Sequence, residues 1–271
     1  FRRVLFRSYF GRLISTTHVN VQRQRKQAEI GNNETFKLEF SRKIISAKIR
    51  NQIVVLRRYA RRRDVNIDRP MVEMQIMQKK VICANTIEQV MGYEGTAAKI
   101  YFKMLSLLID PEFTFSGRSR RPPMDPFNSL ISLGYSIILN ELYGKIEGKG
   151  LNPYFGIMHK DREKHPTLAS DLMEEWRAVL IDSTALSMLN GHELLLEDFY
   201  SGSDCPGVFL EQEGFKKYIK KLEGKFRTDS RYLSYIEYAV SFRRALDFQI
   251  AQFVKAIETE NVDEYMPIEI R

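Results

Sequence analysis

Cysteine is scarce in this chain of 271 residues, occurring only as Cys83 and Cys205. Two thiols exclude a disulfide scaffold and a cysteine-rich zinc module. Long apolar runs are missing too. The longest, about Ser129 to Leu139, is broken by serine and glycine. It falls well short of the roughly 20 residues that cross a bilayer. A membrane protein is not expected, and a reducing cytoplasm is the expected setting. Several catalytic signatures are absent: no P-loop, no His-Glu-x-x-His, no Gly-x-Ser-x-Gly elbow and no paired Cys-x-x-Cys. There is no internal repeat and no low-complexity tract.

What remains is globular material. Hydrophobic residues make up 44% and charged residues 28%, which excludes wholesale disorder. At roughly 150 residues per domain, the length predicts one large domain or one domain with a remnant. The opening octapeptide, Phe1-Arg-Arg-Val-Leu-Phe-Arg-Ser8, matches the translated end of a widely used sequencing adapter. It is expected to be foreign to the fold.

Charge is unevenly spread. The net charge is +8, and the segment 31–63 alone accounts for that excess: ten lysines and arginines against Glu34 and Glu39. Arg118, Arg120 and Arg121 fall in a Gly/Pro-rich stretch. Lys216, Lys217, Lys220, Lys221 and Lys225 form a further group, with Tyr218, Tyr232, Tyr235 and Tyr238 nearby. One such run is most often a solvated helix face. Several together make nucleic acid the leading polyanion.

Residues 9–28 are β-branched and turn-rich and read as the end of a β segment. After Gly31 the pattern turns helical. Leu38, Ile45, Ile49, Ile53 and Leu56 predict a long basic helix ending near Arg63. Further helices are predicted at Met71 to about Val81, from a Thr86/Gln89 capping box to about Ile109, and at about 127–148, 167–191, 211–225 and 231–258. The predicted fold class is mainly α, in three parts: 1–8 adapter-derived, 9–30 the remnant of an N-terminal β domain, 31–271 a large α-helical catalytic domain.

On the helix from Thr86, Met91, Glu94, Ala98, Phe102, Leu105 and Ile109 fall on one stripe. Glu94 is thus a carboxylate inside an apolar face, which requires a cation, a proton or a metal. An ion pair with one of the many basic residues satisfies it as readily as a metal. A second candidate is His159, at the end of Gly156-Ile-Met-His159. Thr167 is placed to cap the next helix. There Asp171, Glu174, Glu175 and Asp182 share one face, which geometry alone reads as solvated and acidic near a helix N-terminus. His165 and His192 carry no partner pattern. One histidine with carboxylates from separate helices makes a mixed N/O site suited to Mn²⁺ or Mg²⁺. Beside basic surfaces, such an ion serves phosphodiester chemistry.

Four stretches together resemble the CRISPR-associated endonuclease/integrase of spacer acquisition, the "Cas-one" family. They are Gly92-Tyr-Glu94-Gly-Thr-Ala-Ala-Lys-Ile-Tyr-Phe102, Arg121-Pro-Pro-Met-Asp-Pro-Phe-Asn128 with Gly134-Tyr-Ser136, Gly150-Leu-Asn-Pro-Tyr-Phe-Gly-Ile-Met-His159, and Pro166-Thr-Leu-Ala-Ser-Asp171-Leu-Met-Glu174-Glu-Trp-Arg177. Their order and spacing carry the signal. The resemblance implies a small N-terminal β domain and a larger α domain holding the active site. It implies Mn²⁺ or Mg²⁺ held by Glu94, His159 and Glu174, with Asp171 as a further catalytic acid. Where Glu174 stands, many members carry aspartate.

The resemblance also implies the activity: endonuclease cleavage of DNA, and insertion of short fragments (spacers) into a CRISPR array for antiviral defence, in a prokaryotic cytoplasm. In that reaction a 3′-hydroxyl attacks a phosphodiester of the repeat. The implied partners are DNA, a second copy of the chain and a small ferredoxin-like adaptation protein. Arg118, Arg120, Arg121, Arg243 and Arg244 are candidate phosphate contacts, chosen by charge and by neighbouring motifs. The chain departs from the family by lacking most of the β domain, which builds the homodimer. Two alternatives stand beside this reading: a non-catalytic helical DNA-binding protein, and an inactive fragment without its dimerisation domain.

Overall fold

The computed structural model describes residues 20–202, 206–232 and 236–270, and its regular structure is almost all helix. Phe1–Ser8, residues 9–19, Cys205 and Tyr235 lie outside the described residues. No described helix is long and apolar enough to cross a membrane.

The first helix, α1 (Val21–Ile30), corrects the strand reading of this segment over 21–30. Asn20 caps it, accepting from Arg23 N at 2.9 Å. Its Arg23 pairs with Glu258 at 2.7 Å, and its Lys26 with Glu260, both at the end of the last helix. The helix is locally encoded, by the Asn20 cap and the run of good helix formers from Gln22 to Glu29, and these contacts dock it on the last helix.

The 30-residue α2 (Glu34–Arg63) is the central element, about 45 Å long. Asn33 caps its start, and Arg61, Arg62 and Arg63 complement the dipole at its end. Against it pack α3 (Asp68–Ile82) and α4 (Ile87–Leu108). Pro70 is tolerated in α3 because it lies in the first turn. Thr86 caps α4 as predicted, but Gln89 reaches back to Asn85 N, at 2.8 Å, rather than to the cap itself. The buried stripe of α4 is Val90, Ala97, Tyr101, Met104, Leu105 and Leu108, slightly rotated from the predicted one. Glu94 still falls within it.

After a loop, α5 (Pro126–Gly148) starts at an Asp125 cap. The predicted helix 167–191 is real but composite: α6 (Thr167–Met173), a π-helical segment over Arg177–Asp182, and α7 (Ser183–Asn190). Thr167 does not cap it. Pro166 holds that position, and the Thr167 hydroxyl donates to His165 O at 3.2 Å. A short antiparallel pair follows, β1 (Phe199–Ser201) with β2 (Val208–Leu210), then α8 (Gln212–Arg227). A second pair, β3 (Asp229–Ser230) with β4 (Val240–Ser241), replaces the start of the predicted 231–258 helix. That helix, α9, runs Phe242–Thr259.

One core joins these elements. Phe40 of α2 meets Phe253 of α9 and Tyr265, with centroids 5.0 and 4.8 Å apart. Trp176, fully buried, donates to Gln249 Oε1 at 2.9 Å, and Gln249 donates on to Leu172 O at 3.0 Å. The C-terminal segment is bound to α2 through Asn51, which donates to Ile268 O and accepts from Ile270 N.

Candidate metal centre

The site forms where α2, α4 and the 167–190 helix run together. Glu94 on α4 and Glu174 just after α6 meet across a residue of α2. Lys48 Nζ lies 2.5 Å from Glu94 Oε1 and 2.6 Å from Glu174 Oε2. The other Glu174 oxygen pairs with Arg177 Nη2 at 2.8 Å. Burial alone would push the Glu174 carboxyl up, but Arg177 and Lys48 outweigh it and hold it at about 2. Burial likewise opposes the charge on Lys48, yet Glu174 and Glu94 raise its pKa. Glu174, Lys48 and Arg177 are therefore held charged in a largely water-free place, with Glu94 paired to the same ammonium. Glu174 Oε2 is buried, and its partner is the Lys48 ammonium.

His159 comes from the loop between α5 and α6. That loop is fixed from two sides. Buried Gln27 of α1 accepts from Asn152 N and donates to Asn152 O, both at 2.8 Å. At its other end Asp171, fully buried on α6, accepts from the backbone N–H of Ile157 (2.8 Å), Met158 (3.0 Å) and His159 (3.2 Å). Asp171 Oδ1 also lies 2.6 Å from His159 Nδ1. This contact raises the imidazole pKa against the effect of burial, and Glu174 adds to it. With Nδ1 held by Asp171, the ring presents Nε2 as its remaining nitrogen, the usual arrangement behind a metal-ligating histidine. Gly156 is required in this turn: a Cβ there would stand 2.9 Å from His159 O and collide with the Thr167 side chain.

A second buried carboxylate lies behind the first. Asp182 accepts from Tyr101 Oη at 2.8 Å and Tyr135 Oη at 2.5 Å. Burial pushes it up to about 6 despite these bonds. Tyr135 offers its ring face to Arg177, 4.7 Å from the centroid, and to Arg118 at 5.6 Å. Glu175 points away from the site. It accepts from Gln249 Nε2 and Ile268 N at 2.5 Å each, and from Tyr265 Oη. Burial pushes it up to about 7.

The acidic face of the 167–190 helix is thus not solvated: Asp171, Glu174, Glu175 and Asp182 are all buried. Cations, tyrosines and backbone donors on neighbouring elements replace water. The structure brings Glu94 and Glu174 onto one ammonium and places His159 within electrostatic reach of both Glu174 and Lys48. Among the described residues, no three His, Cys, Asp or Glu side chains stand close enough to hold a metal as they are. Lys48 occupies the position between the carboxylates.

The basic candidates divide. Arg118 binds Asn128 Oδ1 at 2.8 Å and Ser132 Oγ at 3.2 Å, anchoring its loop on α5. Arg120 and Arg121 are exposed on the same loop, and Arg244 is exposed on α9. Arg243 is taken up within the fold, by Glu223 at 2.8 Å and Glu141 at 3.2 Å. Sequence reasoning missed Lys48, counting it only within the basic run, and gave Arg177 no role. The available signal was the one that flagged Glu94. Lys48 falls on the buried stripe of α2, one turn from Ile44 and Ile45.

Residues 6–224 match the family model described as CRISPR associated protein Cas1. The CRISPR-associated endonuclease Cas1 of Mycobacterium tuberculosis (strain CDC 1551 / Oshkosh) is 36% identical over 263 residues, 97% of this chain and 77% of the relative. A solved structure described as a Cas6-RT-Cas1–Cas2 complex contains a chain with TM-score 0.84 and 26% identity. The match covers 97% of this chain and 29% of that one. A casposase bound to integration product aligns with TM-score 0.80 over 91% of this chain and 67% of its own. At 20% identity that likeness is one of fold.

Proposed function

Since this chain belongs to the CRISPR-associated Cas1 family, we propose that it is a metal-dependent DNA endonuclease and integrase of spacer acquisition. The observation that carries this reading is the convergence of Glu94 and Glu174 on a single cation position, beside an imidazole that Asp171 orients. Two carboxylates and one imidazole nitrogen form a hard, mixed donor set. The ammonium of Lys48 stands in for the cation, 2.6 Å from the buried Glu174 Oε2.

Glu94, His159 and Glu174 would hold Mn²⁺ or Mg²⁺, which would supply polarisation of the scissile phosphate and neutralise charge developing on it. Asp171 acts through His159: it holds the ring and the backbone of the 157–159 turn, and so is a positioning residue. Arg177, fixed by Glu174 and the face of Tyr135, supplies positive potential beside the carboxylates. Arg120 and Arg121, exposed on the loop before α5, are placed to meet DNA phosphates. In strand transfer a 3′-hydroxyl attacks a phosphodiester. One P–O bond forms as another breaks, and the departing strand takes up the proton at its new 3′-hydroxyl. With water as nucleophile the same exchange is hydrolysis. The reading extends to a second copy of the chain and a small adaptation protein as partners.

The rival is a non-catalytic helical DNA-binding protein. The pairing of both carboxylates with Lys48 is the observation in its favour. One experiment separates the two: strand cleavage and transfer by the parent and by Glu94→Gln, each with and without Mn²⁺, alongside DNA affinity. The proposal expects metal-dependent activity that Glu94→Gln abolishes while DNA binding persists. Metal-independent function insensitive to Glu94→Gln supports the rival.

A further inference from the structure

Between α2, α7 and α8 lies an open groove of about 690 Å³ that none of Glu94, His159 and Glu174 lines. Arg58, Arg62, Lys217, Lys220, Lys221 and Lys225 line it, against a single lining carboxylate, Glu193. Its cations are only partly neutralised. Lys221 pairs with Glu193 at 2.6 Å and Lys217 with Asp198 at 2.9 Å. Lys220 has no ion pair among the described residues. Arg62 rests over the Tyr59 ring, 5.7 Å from its centroid. Lys225 Nζ lies 5.1 Å from the Phe242 ring centroid, and burial with Arg58 nearby lowers its pKa. Folding has brought like charges together on a concave surface, and an anionic occupant would relieve that repulsion.

The groove also continues the seam that carries the candidate centre. α2 and the 167–190 helix run side by side. Lys48 meets Glu174, Asn51 donates to Glu175 O at 3.0 Å, Tyr59 Oη donates to Ser183 O at 2.8 Å, and Arg63 reaches Asn190 at 3.1 Å. Tyr59 and Ser183 line the groove. Ser183 is nine residues past Glu174, about 13 Å along a helix. Four of the six lining cations are lysines. As compact point charges on flexible stems they suit a repeating backbone of phosphates better than one fixed anion.

We propose that this groove is a second, sequence-independent site for the phosphodiester backbone of DNA, on the same helical seam as the Glu94–Glu174 site. It rests on reading the chain as an enzyme acting on DNA. Substrate strands would then be held some distance from the reacting phosphate, and binding there needs no metal.

The test is fluorescence anisotropy of a labelled duplex with the full chain, without divalent metal, across a salt series. Lys220→Gln/Lys225→Gln is compared with Lys79→Gln/Lys103→Gln on α3 and α4, which contribute nothing to the groove. The groove variant should bind on the order of tenfold more weakly, with a log–log salt slope shallower by about 1.8. Because Lys225 packs on Phe242, the exposed Lys220→Gln alone is measured too, with an expected change of about 0.9. An unchanged slope, or an equal loss in the control pair, overturns the assignment. So does a poly-glutamate peptide whose binding depends on the two lysines when DNA binding does not, which would mark the groove as an acidic-peptide site. A parent that binds no DNA at all overturns the reading beneath it as well. A parent that binds DNA with the groove variant as its equal overturns only the groove.

Discussion

Lys48 Nζ sits 2.6 Å from Glu174 Oε2 while touching Glu94 on its other side, so one ammonium joins carboxylates from two helices. Lys48→Ala leaves those carboxylates facing each other, with both acids largely buried. The expected loss is about 3–5 kcal/mol, the usual result of breaking a buried pair from one side. Mn²⁺ should then recover much of the lost melting temperature, because binding to the native state stabilises it by mass action. Thermal unfolding of the variant with and without Mn²⁺ reads this directly. A loss that Mn²⁺ leaves untouched means the two acids do not accept a divalent ion.

Asp171 accepts four hydrogen bonds from one turn, three from backbone and one from the His159 ring. In Asp171→Asn the amide nitrogen must face donors whichever way it turns. Stability should drop by about 1–3 kcal/mol. Cleavage turnover should fall further than DNA affinity, since the lost function is the aim of His159. Equal falls in turnover and affinity would indicate a purely structural role.

Asp182 provides a pH test with a definite sign. Its folded-state value of about 6 lies above the ordinary aspartate value of about 4. The native state therefore holds the proton more tightly, and this group's contribution declines as pH rises from about 4 through 6. Asp182→Asn cannot titrate. The melting temperature of the variant minus that of the parent should become more positive between pH 5 and 7. A difference that does not vary with pH would refute the assignment.

Gly134 sits where α5 meets the π segment and α8. A Cβ there would lie 2.5 Å from both Ile181 Cγ2 and Tyr218 Oη. Gly134→Ala should cost about 1–3 kcal/mol as overpacking, read from denaturant midpoints. Full stability would mean that these elements pack less closely than described.

Much of this architecture is legible in the sequence, because helical spacing and caps are local signals. The bounds of α2, α4, α5 and α8 follow from them. Glu94 is legible for the same reason: one charge on an apolar stripe stands out. Lys48 carries the same signal but is hidden among nine basic neighbours, so its direction becomes clear only when α4 and α6 are in place. Non-local structure was not legible. The misreading of Val21–Ile30 is the exception: the Asn20 cap and the good helix formers from Gln22 to Glu29 are local signals, and the β reading of 9–28 took in too much of the chain. Val240–Ser241, within the helix expected over 231–258, pairs instead with Asp229–Ser230. The acidic face of the 167–190 helix looked solvated because its partners, Lys48, Tyr101 and Tyr135, lie on other elements.

On the proposed reading, Glu94 and Glu174 take a divalent cation at the position where Lys48 joins them. Calorimetric titration of Mn²⁺ into the full chain and into Glu94→Gln tests it most directly. The parent should give a saturable single-site isotherm. In Glu94→Gln the affinity should be lower by more than about tenfold, a loss that even a supporting residue around a metal can cause. Superimposable isotherms from two well-folded proteins, or no Mn²⁺ uptake by the parent, would contradict it.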